Sequence, residues 1–149
     1  MLTQTILRHY GSTRYDPSAF LPVMDIDWVK PGGGLWTSPI ECYYGWKEWC
    51  KQEHFWTDEH LSEFFDVRFA GNVYVVNSSR DLFDMPGTTT AENWWYPSFR
   101  ELMQRGYDAI QLTWAGQCST RFSHPRNLYG WDCESVLVMN QSSITSYQP

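Results

Sequence analysis

The run KPGGGLWTSP, residues 30–39, restricts the fold more than any other stretch of this chain. Three glycines follow a proline and precede Trp36, and glycine weakens helices and strands while allowing unusual φ angles. Regular structure is therefore expected to stop here and to resume as a short strand from Leu35 to Ser38. The glycines serve either as a flexible joint or as a place where the backbone approaches a ligand. They match neither a phosphate loop nor the G-x-G-x-x-G order of a dinucleotide fold.

Hydrophobic spacing predicts an α+β domain in which strands outnumber helices. Residues 15–31 are expected to form an irregular loop and residues 80–87 a turn-rich linker. Residues 65–70 and 72–77 are expected to pair as a β-hairpin around Gly71-Asn72. The remaining strands are predicted at residues 2–10, 107–114 and 134–140. Helices are predicted at residues 40–55 and 97–106, with a short helix or turn at 57–65.

The composition indicates a compact core plus a site where rings stack on a ligand, with core packing of most of the rings as the alternative. The 149 residues suit one domain, and an aromatic fraction of 17% argues against disorder. The net charge of −6 argues against broad phosphate-driven binding of nucleic acid. A small basic patch from Arg8, Arg14 and Lys30 remains open. No apolar run approaches a membrane span and no signal peptide is evident, so a cytoplasmic location is expected.

The cysteines predict reduced thiols and no metal site. Their spacing contains no C-x-x-C pair, and the histidines do not group with them. Cys133 is conceivable as a nucleophile paired with His9 or His124. However, it lies between Asp132 and Glu134, whose charges would raise its pKa, so a carboxylate is favoured over the thiol. The four cysteines are Cys42, Cys50, Cys118 and Cys133.

Three segments carry candidate site residues. His9 ends a predicted strand and precedes Gly11 and Ser12, so its imidazole either enters a cleft or caps a turn. Asp132 and Glu134 stand directly ahead of an apolar strand, and either carboxylate can project into a site. Between these segments, Tyr43 and Trp46 would share one face of the predicted helix. Tyr43, Tyr44 and Trp46 all remain candidates for a ring that lines a pocket; core packing is the alternative.

In this order, the segments RHYGSTR, GLWTSP and ESVLVMN resemble motifs of the ADP-ribosyltransferase superfamily. The resemblance is to the histidine–tyrosine–glutamate branch, which includes the poly(ADP-ribose) polymerases and diphtheria-type toxins. It covers three short islands rather than a continuous stretch. It implies one ADP-ribosyltransferase-like domain over residues 1–149, built as a split antiparallel β-sandwich with a few short helices.

The resemblance also implies the roles of individual residues. Glu134 and His9 would be catalytic: the glutamate would hold the nicotinamide ribose and polarise the nucleophile, and the histidine would bind a ribose hydroxyl. Backbone amides near Gly11 would pair with the carboxamide of NAD, and Trp36 would pack under the nicotinamide pocket. The implied NAD-binding residues are His9, Tyr10, Gly11, Ser12, Gly34, Leu35, Trp36, Ser38, Tyr43, Tyr44 and Trp46.

The function that the resemblance implies is NAD-dependent mono-ADP-ribosylation of a host macromolecule, with release of nicotinamide and no metal. Compact transferases of this kind act as toxins or phage effectors. The acidic charge favours a protein acceptor, while a nucleic-acid acceptor stays open, and no membrane partner is expected. The alternatives are an NAD glycohydrolase, a non-catalytic module that binds ADP-ribose, and an inhibitor protein that acts through its surface.

Overall fold

The computed structural model of the protein describes residues 3–148. Leu2, which the predicted first strand includes, lies outside the described residues. Within them the helices are α1 (Trp46–Glu53), α2 (Asp58–Leu61), α3 (Ser79–Phe83), α4 (Phe99–Gln104) and α5 (Trp114–Thr120), with 3-10 turns at Pro17–Ala19, Tyr129–Trp131 and Gln141–Ser143. The strands are β1 (Thr3–Tyr10), β2 (Leu35–Pro39), β3 (Phe64–Gly71), β4 (Val73–Val76), β5 (Gly87–Thr89), β6 (Trp95–Pro97), β7 (Ala109–Leu112), β8 (Ser135–Val138) and β9 (Ile144–Gln148).

Seven of these strands form one large sheet, in the order β4-β7-β8-β2-β1-β3-β9, and β5 and β6 pair separately. Within the large sheet every pair is antiparallel except β4 with β7. The predicted α+β class with strands in the majority is therefore confirmed. The narrower expectation of an ADP-ribosyltransferase-like sandwich is not confirmed by strand order alone.

The pairing between strands is shortest near the middle of the sheet, where β1 and β2 pair only at Leu7↔Pro39 and Arg8↔Ser38. Side chains from both sides of this junction nevertheless share one buried cluster, which includes Phe65 and Val67 of β3 and Val136 of β8. The two halves of the sheet therefore bury one core between them. Because neighbouring side chains of a strand point to opposite faces, Leu137 enters a second cluster, which α3 and α4 cover.

The predicted hairpin between residues 65–70 and 72–77 is wrong. Strand β3 pairs with β1 and β9, whereas β4 pairs in parallel with β7. Asp108 explains the difference, because its carboxylate accepts a hydrogen bond from the Asn72 amide at 2.8 Å. The Asp108 amide in turn donates to the Asn72 carbonyl at 2.8 Å. These bonds direct the chain toward β7 instead of back along β3.

The predicted helix over residues 40–55 is shorter than expected, since α1 begins at Trp46. Side chains outside the helix hold the backbone before it: Ser38 Oγ accepts from the Trp46 amide at 3.2 Å, and Glu134 accepts from the Tyr44 amide. Tyr43 and Tyr44 therefore precede the helix. The prediction that Tyr43 and Trp46 share one helical face is wrong.

Two further boundaries differ from the predictions. The predicted linker at 80–87 contains most of α3. The strand predicted through residue 114 ends at Leu112, because Thr113 caps α5 by accepting from the Gly116 amide at 3.1 Å. The short helix or turn predicted at 57–65 is a helix, α2, although residues 64 and 65 already belong to β3, and the helix predicted at 97–106 is confirmed as α4. The loop at 15–31 has only one 3-10 turn. Strands β5, β6 and β9 were not predicted.

Candidate functional site

A cavity of about 260 Å³ lies beside the junction of β1 and β2, where the last residue pair is Arg8↔Ser38. Beyond that pair the strands no longer hydrogen-bond in register, so side chains from both strand ends face a shared space. We call this space the His9 cavity. Its walls are formed by Arg8, His9, Tyr10, Lys30, Trp36, Thr37, Ser38, Trp46, Trp56, Trp131 and Ser135.

His9 presents a hydrogen-bond acceptor at this cavity. Its Nδ1 lies 2.7 Å from the carbonyl oxygen of Trp36. A carbonyl can only accept, so Nδ1 carries the proton and Nε2 keeps a lone pair. Burial lowers the pKa of His9 below its ordinary value, although the Trp36 carbonyl opposes this shift. The imidazole also stacks on Phe65 at 4.9 Å, which fixes its plane. The neutral ring can therefore accept a hydrogen bond from a ligand hydroxyl.

Tryptophan rings make the cavity apolar. Trp36 lies edge-on to Trp131, with ring centroids 4.8 Å apart. Trp46 stacks on Trp49 with ring centroids 5.0 Å apart, and it lies nearly perpendicular to Trp56 with ring centroids 5.4 Å apart. Each ring is held by another ring, so the walls are rigid and suit a planar ligand.

The structure distinguishes among the three rings that the sequence left open. Trp46 lines the His9 cavity, whereas Tyr43 and Tyr44 do not. Both tyrosines pack instead against Trp114, at 4.9 and 5.6 Å. The Tyr44 hydroxyl donates to Gln52 Oε1 at 2.6 Å. Trp46 is therefore the candidate for stacking on a bound ring.

Two cations of the predicted basic patch reach the cavity, and each is paired with a carboxylate. Arg8 donates to both oxygens of Asp66, at 2.8 and 3.1 Å. Lys30 Nζ lies 3.5 Å from Asp132 Oδ2. Arg14 does not line the cavity. These pairings leave the cavity walls close to neutral, because each cation is offset by a carboxylate.

Glu134 lies behind the wall rather than in it. Its buried carboxylate accepts from the backbone amides of Tyr44 and Trp114, the second at 3.1 Å, and its own amide donates to the Tyr44 carbonyl at 2.9 Å. The next residue, Ser135, does line the cavity, because successive side chains alternate along a strand. Glu134 thus ties the segment before α1 and the start of α5 to β8. Its catalytic role stays a prediction, as does that of Asp132.

The glycine run approaches the chain itself instead of the His9 cavity. A Cβ on Gly33 would lie 2.1 Å from the Pro22 carbonyl oxygen, and the Gly34 amide donates to the Leu21 carbonyl at 2.8 Å. Both glycines have φ of +73°, a region that favours glycine. Gly34 does not line the cavity, and Leu35 packs against the core shared by the two sheet halves. Gly34 and Leu35 therefore lie outside the His9 cavity, and the NAD contacts that the resemblance implied for them stay a prediction.

The amide at Gly11 is already used, because it donates to the Glu63 carbonyl at 2.8 Å. That bond would have to break before the amide could bind a carboxamide, and the role that the resemblance implied stays a prediction. Ser12 bonds to the backbone of Arg14 and also lies outside the cavity wall. Gly11 matters sterically instead: its φ is +102°, and a Cβ there would lie 2.8 Å from the Trp56 ring. A glycine is needed for Trp56 to reach the wall.

The buried thiols are poor nucleophiles. Burial raises the pKa of Cys133 to about 12, with Asp132 adding to the shift, and it raises the pKa of Cys42 and of Cys50 to about 11. Asp132 thus acts as expected on Cys133, although burial is the larger cause. All four cysteines are free thiols. The preference for a carboxylate over Cys133 agrees with these shifts.

Sequence reasoning missed several wall residues. Trp131 and Ser135 flank the acidic pair Asp132 and Glu134, so the alternation of strand side chains could have indicated Ser135. Thr37 follows Trp36 in β2. Trp56 lies in a turn between two short helices and carries no signal of its own.

No family model, no curated protein and no solved structure matches this chain. None of the helices between residues 3 and 148 is long and apolar enough to cross a membrane. In the same residues no three histidine, cysteine or acidic side chains form a group that could hold a metal ion. The geometry of the cavity is therefore the basis for a functional proposal.

Proposed function

We propose that this protein is an NAD-dependent mono-ADP-ribosyltransferase that binds the nicotinamide ribose of NAD in the His9 cavity. The observation that carries the proposal is a histidine that lines a tryptophan-walled cavity and whose Nδ1 is bonded to the Trp36 carbonyl, which leaves Nε2 as the acceptor for a ligand. A nicotinamide ribose offers the matching features, a flat cationic ring and hydroxyl donors on the attached sugar. The α+β fold with a mostly antiparallel seven-stranded sheet supports the proposal only at the level of fold class, and the split sandwich that the resemblance implied stays a prediction.

The rings would bind the pyridinium. Stacking of a cation on a tryptophan face contributes roughly 0.5–2 kcal/mol. Trp46 is one of the three rings that the sequence left open for lining a pocket, and Trp36 is the ring that the resemblance placed under the nicotinamide. Both line the cavity. His9 Nε2 would accept from a ribose hydroxyl and fix the sugar beside the ring.

Ser38 would bind the carboxamide in place of the Gly11 amide. Its Oγ accepts from the Trp46 amide, so its hydroxyl proton remains available to the carboxamide oxygen. The other serine and threonine hydroxyls of the wall are engaged: Thr37 Oγ1 donates to the Val136 carbonyl at 2.7 Å, and Ser135 Oγ donates to the Cys133 carbonyl at 3.1 Å. Among these three hydroxyls, Ser38 is thus the one with a proton to offer.

In the reaction, the bond between C1′ of the ribose and the pyridine nitrogen breaks, and nicotinamide leaves with the electron pair. An acceptor oxygen or nitrogen then bonds to C1′ and releases its proton. The transition state resembles an oxocarbenium ion, which a nearby carboxylate stabilises. Glu134 would supply that charge after exchanging one of its amide hydrogen bonds for contact with the sugar; Asp132 is the alternative acid.

A second candidate function is non-catalytic binding of NAD or ADP-ribose. It is favoured by the Glu134 carboxylate, whose two oxygens are already bonded to the amides of Tyr44 and Trp114 outside the cavity. On this alternative, Glu134 is purely structural and the cavity holds its ligand without reaction.

Incubation with NAD labelled on the adenylate, in a cell lysate, separates these functions when the protein, RNA and DNA fractions are assayed individually. A transferase labels one fraction and releases nicotinamide in equal amount. Nicotinamide release without a labelled fraction means water is the acceptor. A rise in melting temperature with millimolar NAD, without chemistry, means binding alone. No shift and no release would contradict both candidate functions and favour a protein that acts through its surface.

A further inference from the structure

A second, larger cavity of about 610 Å³ lies among the residues that precede β8. We call it the aromatic groove. Unlike the His9 cavity, it is rimmed by exposed rings: Trp28 is 49% exposed, Trp94 63%, Phe122 78% and Tyr129 54%. The residues that line it are Trp28, Val29, Trp94, Trp95, Tyr96, Arg121, Phe122, Ser123, His124, Pro125, Asn127, Tyr129 and Gly130.

The groove differs in charge from the rest of this acidic chain. Its lining contains no aspartate or glutamate, although the protein has a net charge of −6. The Arg121 guanidinium lies 5.6 Å from the Phe122 ring and 5.2 Å from the Tyr129 ring. Among the residues that the structure describes, no carboxylate forms a salt bridge with Arg121. The groove thus combines exposed aromatic rings with a cation that forms no salt bridge among the described residues.

The groove adjoins the His9 cavity. Lys30 Nζ lies 5.6 Å from the Trp28 ring, which lines the groove, and 5.7 Å from the Trp36 ring, which lines the cavity. Trp131 of the cavity wall follows Gly130 of the groove, and its Nε1 donates to the Val29 carbonyl at 2.8 Å. A ligand in the groove would therefore lie next to a sugar bound at His9.

We propose that the aromatic groove binds a short single-stranded segment of nucleic acid and presents it as the acceptor. Exposed rings beside a cation bind single strands, because bases stack on the rings while a phosphate meets the cation. A base has two faces, so four exposed rings exceed what one mononucleotide can stack on and fit at least two successive bases. The acceptor role rests on the proposed transferase function, whereas strand binding does not.

The transfer would form one bond to the ribose and break one. A nucleophilic nitrogen or hydroxyl oxygen of a bound nucleotide forms the new bond to C1′ of the ribose. The bond from C1′ to the pyridine nitrogen breaks, nicotinamide leaves as a neutral molecule with the electron pair, and the acceptor proton passes to solvent.

Binding is tested first without NAD, by fluorescence anisotropy of labelled DNA and RNA strands of about eight nucleotides at about 50 mM salt. We expect saturable binding of single strands and binding at least about tenfold weaker for the duplex of the same sequence, whose bases are already stacked. Since Arg121 is the available cation, log Kd should change with log salt concentration by a slope of only about 1.

Groove variants locate the binding. Phe122→Ala and Trp94→Ala should each raise the Kd by about 5- to 100-fold, and Arg121→Gln should raise it and flatten the salt dependence. The matched controls are Tyr147→Ala and Arg100→Ala, which line neither cavity and should leave the Kd unchanged. The substituted groove rings are largely exposed, and equal melting temperatures would verify that the variants fold.

Three outcomes overturn the proposal: no saturable binding of any strand up to millimolar concentration, equal affinity in groove and control variants, or competitive displacement of the strand by NAD. A strand that binds but is never labelled, in a protein that does modify another fraction, overturns the acceptor role alone. A strand that binds in a protein that releases no nicotinamide contradicts the transferase function and leaves strand binding established.

Discussion

His9 is the penultimate residue of β1 and Glu134 directly precedes β8, so both lie next to a strand boundary, yet their polar atoms are used differently. The His9 ring lines the cavity and bonds to the Trp36 carbonyl through one nitrogen, and among the described residues no hydrogen bond is found to the other nitrogen. The Glu134 carboxylate spends both oxygens on backbone amides. The comparison shows that a polar side chain is available to a ligand only when it has more donor or acceptor atoms than its hydrogen bonds within the protein use.

The largest expected effect comes from Glu134→Gln. If Glu134 turns to the sugar, transfer per folded molecule should fall by at least about 10²-fold, because one stabilising charge near the oxocarbenium is lost. NAD binding should survive. Glutamine replaces one of the two accepting oxygens by a donating NH2 group, which would face a backbone amide that also donates, so the free energy of unfolding should also fall, by about 1–3 kcal/mol. Initial rates and urea melts measure the two effects separately. A loss of stability with unchanged transfer would leave Glu134 a purely structural residue.

Trp46→Ala should have the next largest effect. Removal of the stacking face should raise the Kd for NAD by about 2- to 30-fold, the equivalent of a cation–π contact of roughly 0.5–2 kcal/mol. Tyr43→Ala is the matched control, because Tyr43 is 74% exposed and lies outside the cavity wall. Titration calorimetry checks both. Equal affinities for the two variants would mean that Trp46 does not contact nicotinamide.

His9→Phe should weaken NAD binding by a smaller factor, about 2- to 15-fold, since one hydrogen bond to a ribose hydroxyl contributes about 0.5–1.5 kcal/mol. The wild-type affinity should also decline as the pH falls below the ordinary histidine pKa of about 6.5, because a protonated Nε2 can no longer accept. Burial delays that decline to lower pH by lowering the pKa of His9. A pH titration of Kd in both proteins is the check, and the same acidic decline in His9→Phe would assign the effect to another group.

The smallest effect concerns the buried thiols. The pKa of Cys133 is about 12 in the fold and about 9 in the unfolded chain, so between these values the folded state binds more protons. Stability should therefore be unaffected below pH about 9 and should decline as the pH rises above it. Cys133→Ala should make the alkaline decline shallower, whereas Cys118→Ala, at an exposed thiol, should not. Urea melts from pH 8 to 10.5 would test this, and identical slopes in the two variants would contradict it.

Much of the fold could be predicted from local patterns, while pairing could not. The valines of β4 and the aliphatic run of β8 identified both strands, because branched residues favour extended backbone. The partner of β4 depended on Asp108, which is 36 residues from Asn72 and holds it by a side-chain hydrogen bond. The start of α1 likewise depended on Ser38, which accepts a hydrogen bond from the amide of Trp46, and on Glu134, which accepts one from the amide of Tyr44. Such long-range bonds leave no periodic signal in the sequence.

The candidate site was predictable where it follows strand ends and unpredictable where loops supply the wall. His9, Trp36, Ser38 and Trp46, which the resemblance assigned to the NAD site, line the cavity. The glycine run does not, because its positive φ angles serve contacts with Leu21 and Pro22. Trp56 reaches the wall only because Gly11 leaves space for its ring. That steric relation joins two residues far apart in sequence, and composition alone could not indicate it.

The most direct test of the central claim is a crystal structure of the Glu134→Gln variant soaked with NAD. The account predicts nicotinamide against Trp46 in the His9 cavity, its carboxamide at Ser38, and a ribose hydroxyl within about 3 Å of His9 Nε2. An empty His9 cavity with NAD bound elsewhere, or a nicotinamide ring that contacts neither tryptophan nor histidine, would contradict it.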